Sequence, residues 1–238
     1  MSSFKNVARV RMRATAVVVA LTSLFVGIGV PAASAAVVTL ANTDALIFNH
    51  ANVVNYQGTG ASNGGGTVAG NVVLYKAVGT YGGYTIDAAV TTVAVVGSID
   101  NYDNPGSAAT GGTSANNFQL NTTGGSTTVK IAFYEAGTYT GPNTGIPITL
   151  ANMKVSSIDI DSSTTSGSFQ YSDFSGFQAY QLTADTSLAV QPLAAVPNAD
   201  PTLALPARVR FITTKTGARS NVPQDQVLVR YDAVQQLT

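Results

Sequence analysis

Residues 128–135 read TVKIAFYE, so that Val129, Ile131 and Phe133 share one side of an extended chain while Thr128, Lys130 and Tyr134 share the other. A period of two fits a strand with one buried face and does not fit a helix. The pattern recurs at 207–214, where Val209 and Phe211 point inward and Arg208 and Arg210 outward. It returns near the end, where Val227, Val229 and Tyr231 alternate with Leu228, Arg230 and Asp232. Further strand candidates are 45–48, 72–78, 84–96, 118–121, 148–155, 158–161, 168–171, 177–183 and 187–192. Short alternating runs between Gly, Asn, Asp and Pro clusters predict an all-β chain, an antiparallel β-sandwich of jelly-roll or immunoglobulin-like type.

Residues 1–35 break this pattern. Lys5, Arg9, Arg11 and Arg13 stand there without an acid, followed by the apolar stretch 14–30 and the small-residue exit PAASA. That layout is a secretory signal peptide cleaved after Ala35. The apolar run is shorter than the roughly 20 residues of a membrane-spanning helix. Residues 36–238 are therefore expected to be one secreted β-sandwich domain with no membrane span, released or held at the cell surface.

The whole chain balances 12 basic against 12 acidic residues, and loss of the leader leaves 8 against 12, a net charge of −4. No concentrated basic patch is left for nucleic acid. The chain also has no cysteine, which excludes disulfides, thiolate zinc sites and thiol nucleophiles. A packed core of about 200 residues must hold the fold.

Three stretches read as loops: 58–70 (GTGASNGGGTVAG), 104–117 (NPGSAATGGTSANN) and 196–205 (VPNADPTLAL). The first has glycines but no Lys-Ser/Thr pair and no helix after it, so it is a hairpin loop and not a phosphate cradle. In the third, Pro197 and Pro201, with Pro206 just beyond, rule out a central strand.

The stretch 156–180, SSIDIDSSTTSGSFQYSDFSGFQAY, places two carboxylates two residues apart in a chain with few charges. As a strand, 158–161 turns Ile158 and Ile160 inward and Asp159 and Asp161 outward together. The phase change between Val155 and Ile158 predicts a β-bulge at Ser156 and Ser157. Two compensations suit the paired charges. One is Ca²⁺, with Asp173, Asp100 and Asp103 as further oxygen donors; the spacing is not that of an EF-hand, because Thr164 and Gln170 stand where its glycine and glutamate belong. The other is a cross-strand ladder to Arg208 and Arg210, with no metal or other cofactor.

Catalytic groupings are sparse. His50 is the one histidine, and no G-x-S-x-G elbow accompanies it. Glu135 is the one glutamate; with Asp159, Asp161 or Asp173 it supplies the carboxylate pair of a glycan hydrolase. Tyr81, Tyr84, Tyr102 and Tyr139, with Tyr171 and Tyr180, are candidates for an aromatic ligand platform, or else cover sandwich edges.

In order along the chain, NVVLYKAVGTYGGYTIDAAVTT, KIAFYEAGTYTGPNTGIPITLANMKVSSIDIDS, FQYSDFSGFQAYQL and QVLVRYDAVQQLT resemble the N-terminal β-rich module of large secreted bacterial surface proteins of actinobacterial type. The resemblance implies a non-enzymatic, adhesin-like interaction module whose partner is an extracellular protein or glycan. A Ca²⁺-dependent carbohydrate-binding module is the alternative expectation, and a glycan-active hydrolase a third.

Overall fold

The computed structural model describes residues 35–57, 67–102, 117–142, 144–162, 169–197, 205–217 and 222–238. They form an all-β sandwich of three sheets. The largest has the order β12-β5-β4-β3-β2, built from β2 (Val53–Gln57), β3 (Val72–Tyr81), β4 (Tyr84–Tyr102), β5 (Leu120–Glu135) and β12 (Gln236–Leu237). A four-stranded sheet has the order β1-β6-β11-β8, from β1 (Ala36–Thr39), β6 (Ile148–Ser157), β8 (Ala179–Gln181) and β11 (Val227–Val234). In the third, β10 (Arg208–Thr213) lies between β7 (Tyr171–Ser175) and β9 (Leu188–Leu193). β1 runs parallel to β6, and the other pairings are antiparallel. No helix among the described residues is long and apolar enough to cross a membrane.

Local chemistry sets the main hairpin. Between Tyr81 and Tyr84 the chain reverses through Gly82 (φ 58) and Gly83 (φ 83), the pair of positive φ values that a two-residue turn needs to match strand twist. Further along β3 the register shifts between Tyr75 and Gly79, around Ala77 at φ 52. The Ala77 amide has left the ladder there and donates to Asp87 Oδ1 at 2.8 Å, while Oδ2 accepts from the Gly137 amide at 2.9 Å. Asp87 is 2% exposed, so its carboxylate serves as an internal acceptor joining the β3 bulge to the turn after β5.

That turn folds back over the sheet. Tyr139 packs with Val72, Leu74 and Ala89 in a small satellite cluster, with Tyr134 against it. The main core lies on the other side and draws Val38, Tyr75, Ile86, Phe133, Leu150, Phe211, Val229 and Tyr231 from all three sheets into one cluster. A hydrogen bond of 2.7 Å between the Ser157 and Ser172 hydroxyls also joins β6 to β7.

Several sequence expectations are corrected. Residues 45–48 form no strand; the Ile47 amide donates to Val78 O at 2.7 Å, and Leu46 and Phe48 pack on the core from an irregular segment. Candidates 118–121 and 128–135 merge into the long β5, while β1, β2 and β12 have no counterpart among the sequence candidates. The stretch 196–205, expected as a loop, is not among these corrections: it lies between β9 and β10 of one sheet, Val196 and Leu205 close its base by mutual backbone bonds of 2.9 and 3.0 Å, and residues 198–204 lie outside the described residues. Loop 58–70 from residue 58 to 66, and loop 104–117 up to residue 116, lie outside the described residues.

Candidate functional site: two arginines on one carboxylate

β10 alternates as its sequence requires, with Val209 and Phe211 buried and Arg208 and Arg210 on the opposite face. β7 lies antiparallel beside it, placing Asp173 opposite Arg210 and Ser175 opposite Arg208. Directly opposed residues on one face are the closest side-chain neighbours in a sheet. Asp173 consequently bridges both arginines: Arg210 Nε and Nη2 donate to Oδ1 at 2.8 Å and Oδ2 at 3.0 Å, and Arg208 Nε donates to Oδ2 at 3.1 Å. The three side chains are 19–24% exposed, half-screened from water and still within reach of it.

Tyr171, two residues before Asp173 on the same face, supports the pair. The Arg210 guanidinium carbon lies 3.7 Å from the centre of its ring, close enough for a cation–π contact. The hydrogen bond with Asp173 raises the Arg210 pKa above its ordinary value, outweighing the opposing effect of burial. Both arginines stay charged, so the group carries two positive charges and one negative. Two guanidinium groups offer about ten N–H donors. Three of these go to Asp173, and Arg208 Nη1 makes a long 3.5 Å bond to Ala194 O. Opposite Arg210 on the third strand stands the exposed Gln191. Near the other end a shallow open cleft of about 560 Å³ is lined by Ser175, Tyr231, Gln235, Gln236 and neighbouring residues.

The expected ladder from Arg208 and Arg210 to Asp159 and Asp161 is not formed, since β10 is flanked by β7 and β9. β6 stops at Ser157 in unbroken register with β11, without the bulge at Ser156 and Ser157. Asp159 then takes φ 65, a left-handed conformation that Asp adopts more readily than most residues because its short side chain bonds locally. This turn ends the alternation: Ile158 is 40% exposed, whereas Ile160 and Asp161 are both buried. The two aspartates do not face out together.

The proposed calcium donors are scattered as well. Asp173 is held by the arginines, and Asp100 on β4 accepts from the Thr123 hydroxyl and from Ser98. Among the described residues no three His, Asp or Glu side chains gather as a metal site would need, and Asp103 lies outside them.

The aromatic platform does not assemble either. Tyr102 and Tyr139 are buried at 1% and 5% exposure, and Tyr81 exchanges hydrogen bonds with the backbone of Ala45. Tyr84 is the exposed member of that set. Tyr180 packs on Phe177 and Phe211, leaving Tyr171 as the tyrosine beside the charged group. Glu135 ends β5 in the largest sheet, and the Asp173 of its suggested pair is on another sheet. The His50 side chain lies outside the described residues.

The fold and this site define an all-β sandwich with a cationic patch on its smallest sheet. Comparison with protein-family models, curated proteins and solved structures finds no match.

Proposed function

We propose that the protein is a non-enzymatic, secreted or surface-held interaction module of adhesin type, and that it engages its ligand through the outer face of the β7-β10-β9 sheet. The carrying observation is the arginine pair on one carboxylate, fixed by bidentate bonding and by the Tyr171 ring with guanidinium donors to spare. A group held in place this way loses little freedom when a ligand arrives, which favours binding. The leader and the resemblance to bacterial surface modules support an extracellular setting.

The test is surface plasmon resonance of residues 36–238 against cell-wall polysaccharides, peptidoglycan and extracellular-matrix proteins. Saturable binding to at least one of them, weakened by salt and by Arg208→Gln, is expected, with no release of reducing ends. Absence of saturable binding across the panel overturns the proposal.

A further inference from the structure

The chemistry of the arginine pair narrows the ligand. Resting on the interaction-module reading, the geometry points to an acidic polysaccharide, a polymer with one monoanionic group per sugar, carboxylate or sulfate ester. Its anion sits on Arg208 and Arg210, and the adjoining sugar extends into the cleft that begins at Ser175.

Charge gives the first argument. Arg208, Arg210 and Asp173 together leave one net positive charge, which balances one monoanion; a phosphate dianion would remain half neutralised. The planar donor fork of guanidinium suits the paired oxygens of such an anion. On a domain whose net charge is −4, this local positive spot selects where a polyanion lands.

The surroundings give the second. Arg210 is flanked across the strands by Asp173 and Gln191, Arg208 by Ser175 and Leu193. Gln191 is an uncharged hydrogen-bonding group of the kind that sugar hydroxyls take, and the Ser175 hydroxyl, which donates to Thr238 O at 3.0 Å, offers its oxygen as an acceptor. The open cleft next to Ser175 adds Gln236 and Gln235, whose Nε2 donates to Thr149 Oγ1 at 3.0 Å and whose Oε1 can accept from a sugar hydroxyl. Arginine clusters also recognise acidic peptides; the amide and hydroxyl groups along the cleft favour sugar hydroxyls over peptide side chains.

The experiment is titration of residues 36–238 with polygalacturonate, dextran sulfate, neutral dextran and polyglutamate, repeated with Arg208→Gln. That variant leaves the two-bonded Arg210–Asp173 pair in place and cancels the net charge. Expected are binding of polygalacturonate or dextran sulfate, whichever anion the site takes, no binding of dextran, and a loss of about tenfold or more in Arg208→Gln at an unchanged melting temperature. Should that variant not fold, Arg208→Lys, which keeps the charge but loses the fork, is expected to weaken binding in the same direction. Polyglutamate binding as tightly as the polysaccharides overturns the ligand class. So does failure of both acidic polysaccharides while Arg208→Gln still abolishes binding of another ligand, an outcome that leaves the interaction face standing. Binding indifferent to Arg208→Gln for every ligand overturns the face along with the inference.

Discussion

Asp87 is a buried carboxylate whose two oxygens each accept a backbone amide, Ala77 on one side and Gly137 on the other. Truncation to Ala leaves both donors without their acceptor in a place water does not reach. Since each such loss costs about 1–3 kcal/mol, Asp87→Ala is expected to destabilise by about 2–4 kcal/mol, measured as a lower urea midpoint. Tyr231 presents the opposite case. Its hydroxyl is buried with no hydrogen-bond partner among the described residues, and burial pushes its pKa up to about 12. Because the folded pKa exceeds the unfolded value near 10, the unfolded chain ionises first, and stability falls as pH rises between about 10 and 12 by up to about 1.4 kcal/mol per unit. Below that window the tyrosine contributes no pH dependence. Tyr231→Phe is therefore expected to be at least as stable as the parent at pH 7 and to lose this alkaline slope, both readable from urea titrations at pH 7 and pH 11. At this scale the candidate site is partly legible in the sequence. The outward Arg208 and Arg210 follow from alternation, and Asp173 reads as an oxygen donor. Their meeting depends on which strand neighbours β10, and a periodic pattern carries no such information. The Asp159 and Asp161 pair misleads because a left-handed residue at 159 breaks the alternation, so that Ile158 is exposed and Asp161 is buried next to Ile160.

At the scale of elements, β4 and β5 form a long ribbon whose register shifts at several places, one of them between Val96 and Ser98. Gly97 and Gly125 face each other there so closely that a Cβ on Gly125 would collide with the Val96 carbonyl, and one on Gly97 with the Thr123 carbonyl oxygen. Gly124, at φ 72, would have nothing within 4 Å of an added methyl group. The neighbours separate two glycine roles. Gly124→Ala meets only the left-handed backbone cost of about 1–2 kcal/mol. Gly125→Ala must force the strands apart against a backbone that cannot yield, and is expected to cost more, about 2–4 kcal/mol. Equilibrium unfolding of the two variants side by side checks the order, and equal costs would mean the ribbon relaxes. The long amphipathic strands are plain in the sequence, because one buried face imposes a period of two over many residues. The same pattern is silent on β1, β2 and β12, which span two to five residues and owe their existence to the neighbour they pair with. Segment 45–48 shows the converse: apolar residues that reach the core from an irregular backbone.

For the whole molecule the decisive fact is that one apolar cluster is shared by three sheets. Phe211 on β10 is fully buried, with ring centres of Phe174, Phe177 and Tyr180 at 6.2, 6.2 and 5.2 Å. The same cluster includes Tyr75 and Phe133 of the largest sheet. The smallest sheet has three strands, the minimum for independent stability, and its buried Val209 and Phe211 belong to the core cluster shared with the other sheets. Its order, and hence the arginine face it presents, depends on the other sheets. Phe211→Ala should therefore destabilise by about 3–5 kcal/mol, and the loss should not stay local. If the sheets unfold as one unit, slowly exchanging amides of β3 and β5 lose protection by the same free energy as those of β10, and calorimetry of the variant keeps a single transition at a lower temperature. Loss of protection confined to β7, β9 and β10, or a second calorimetric peak, would instead make the ligand-facing sheet an independently melting element.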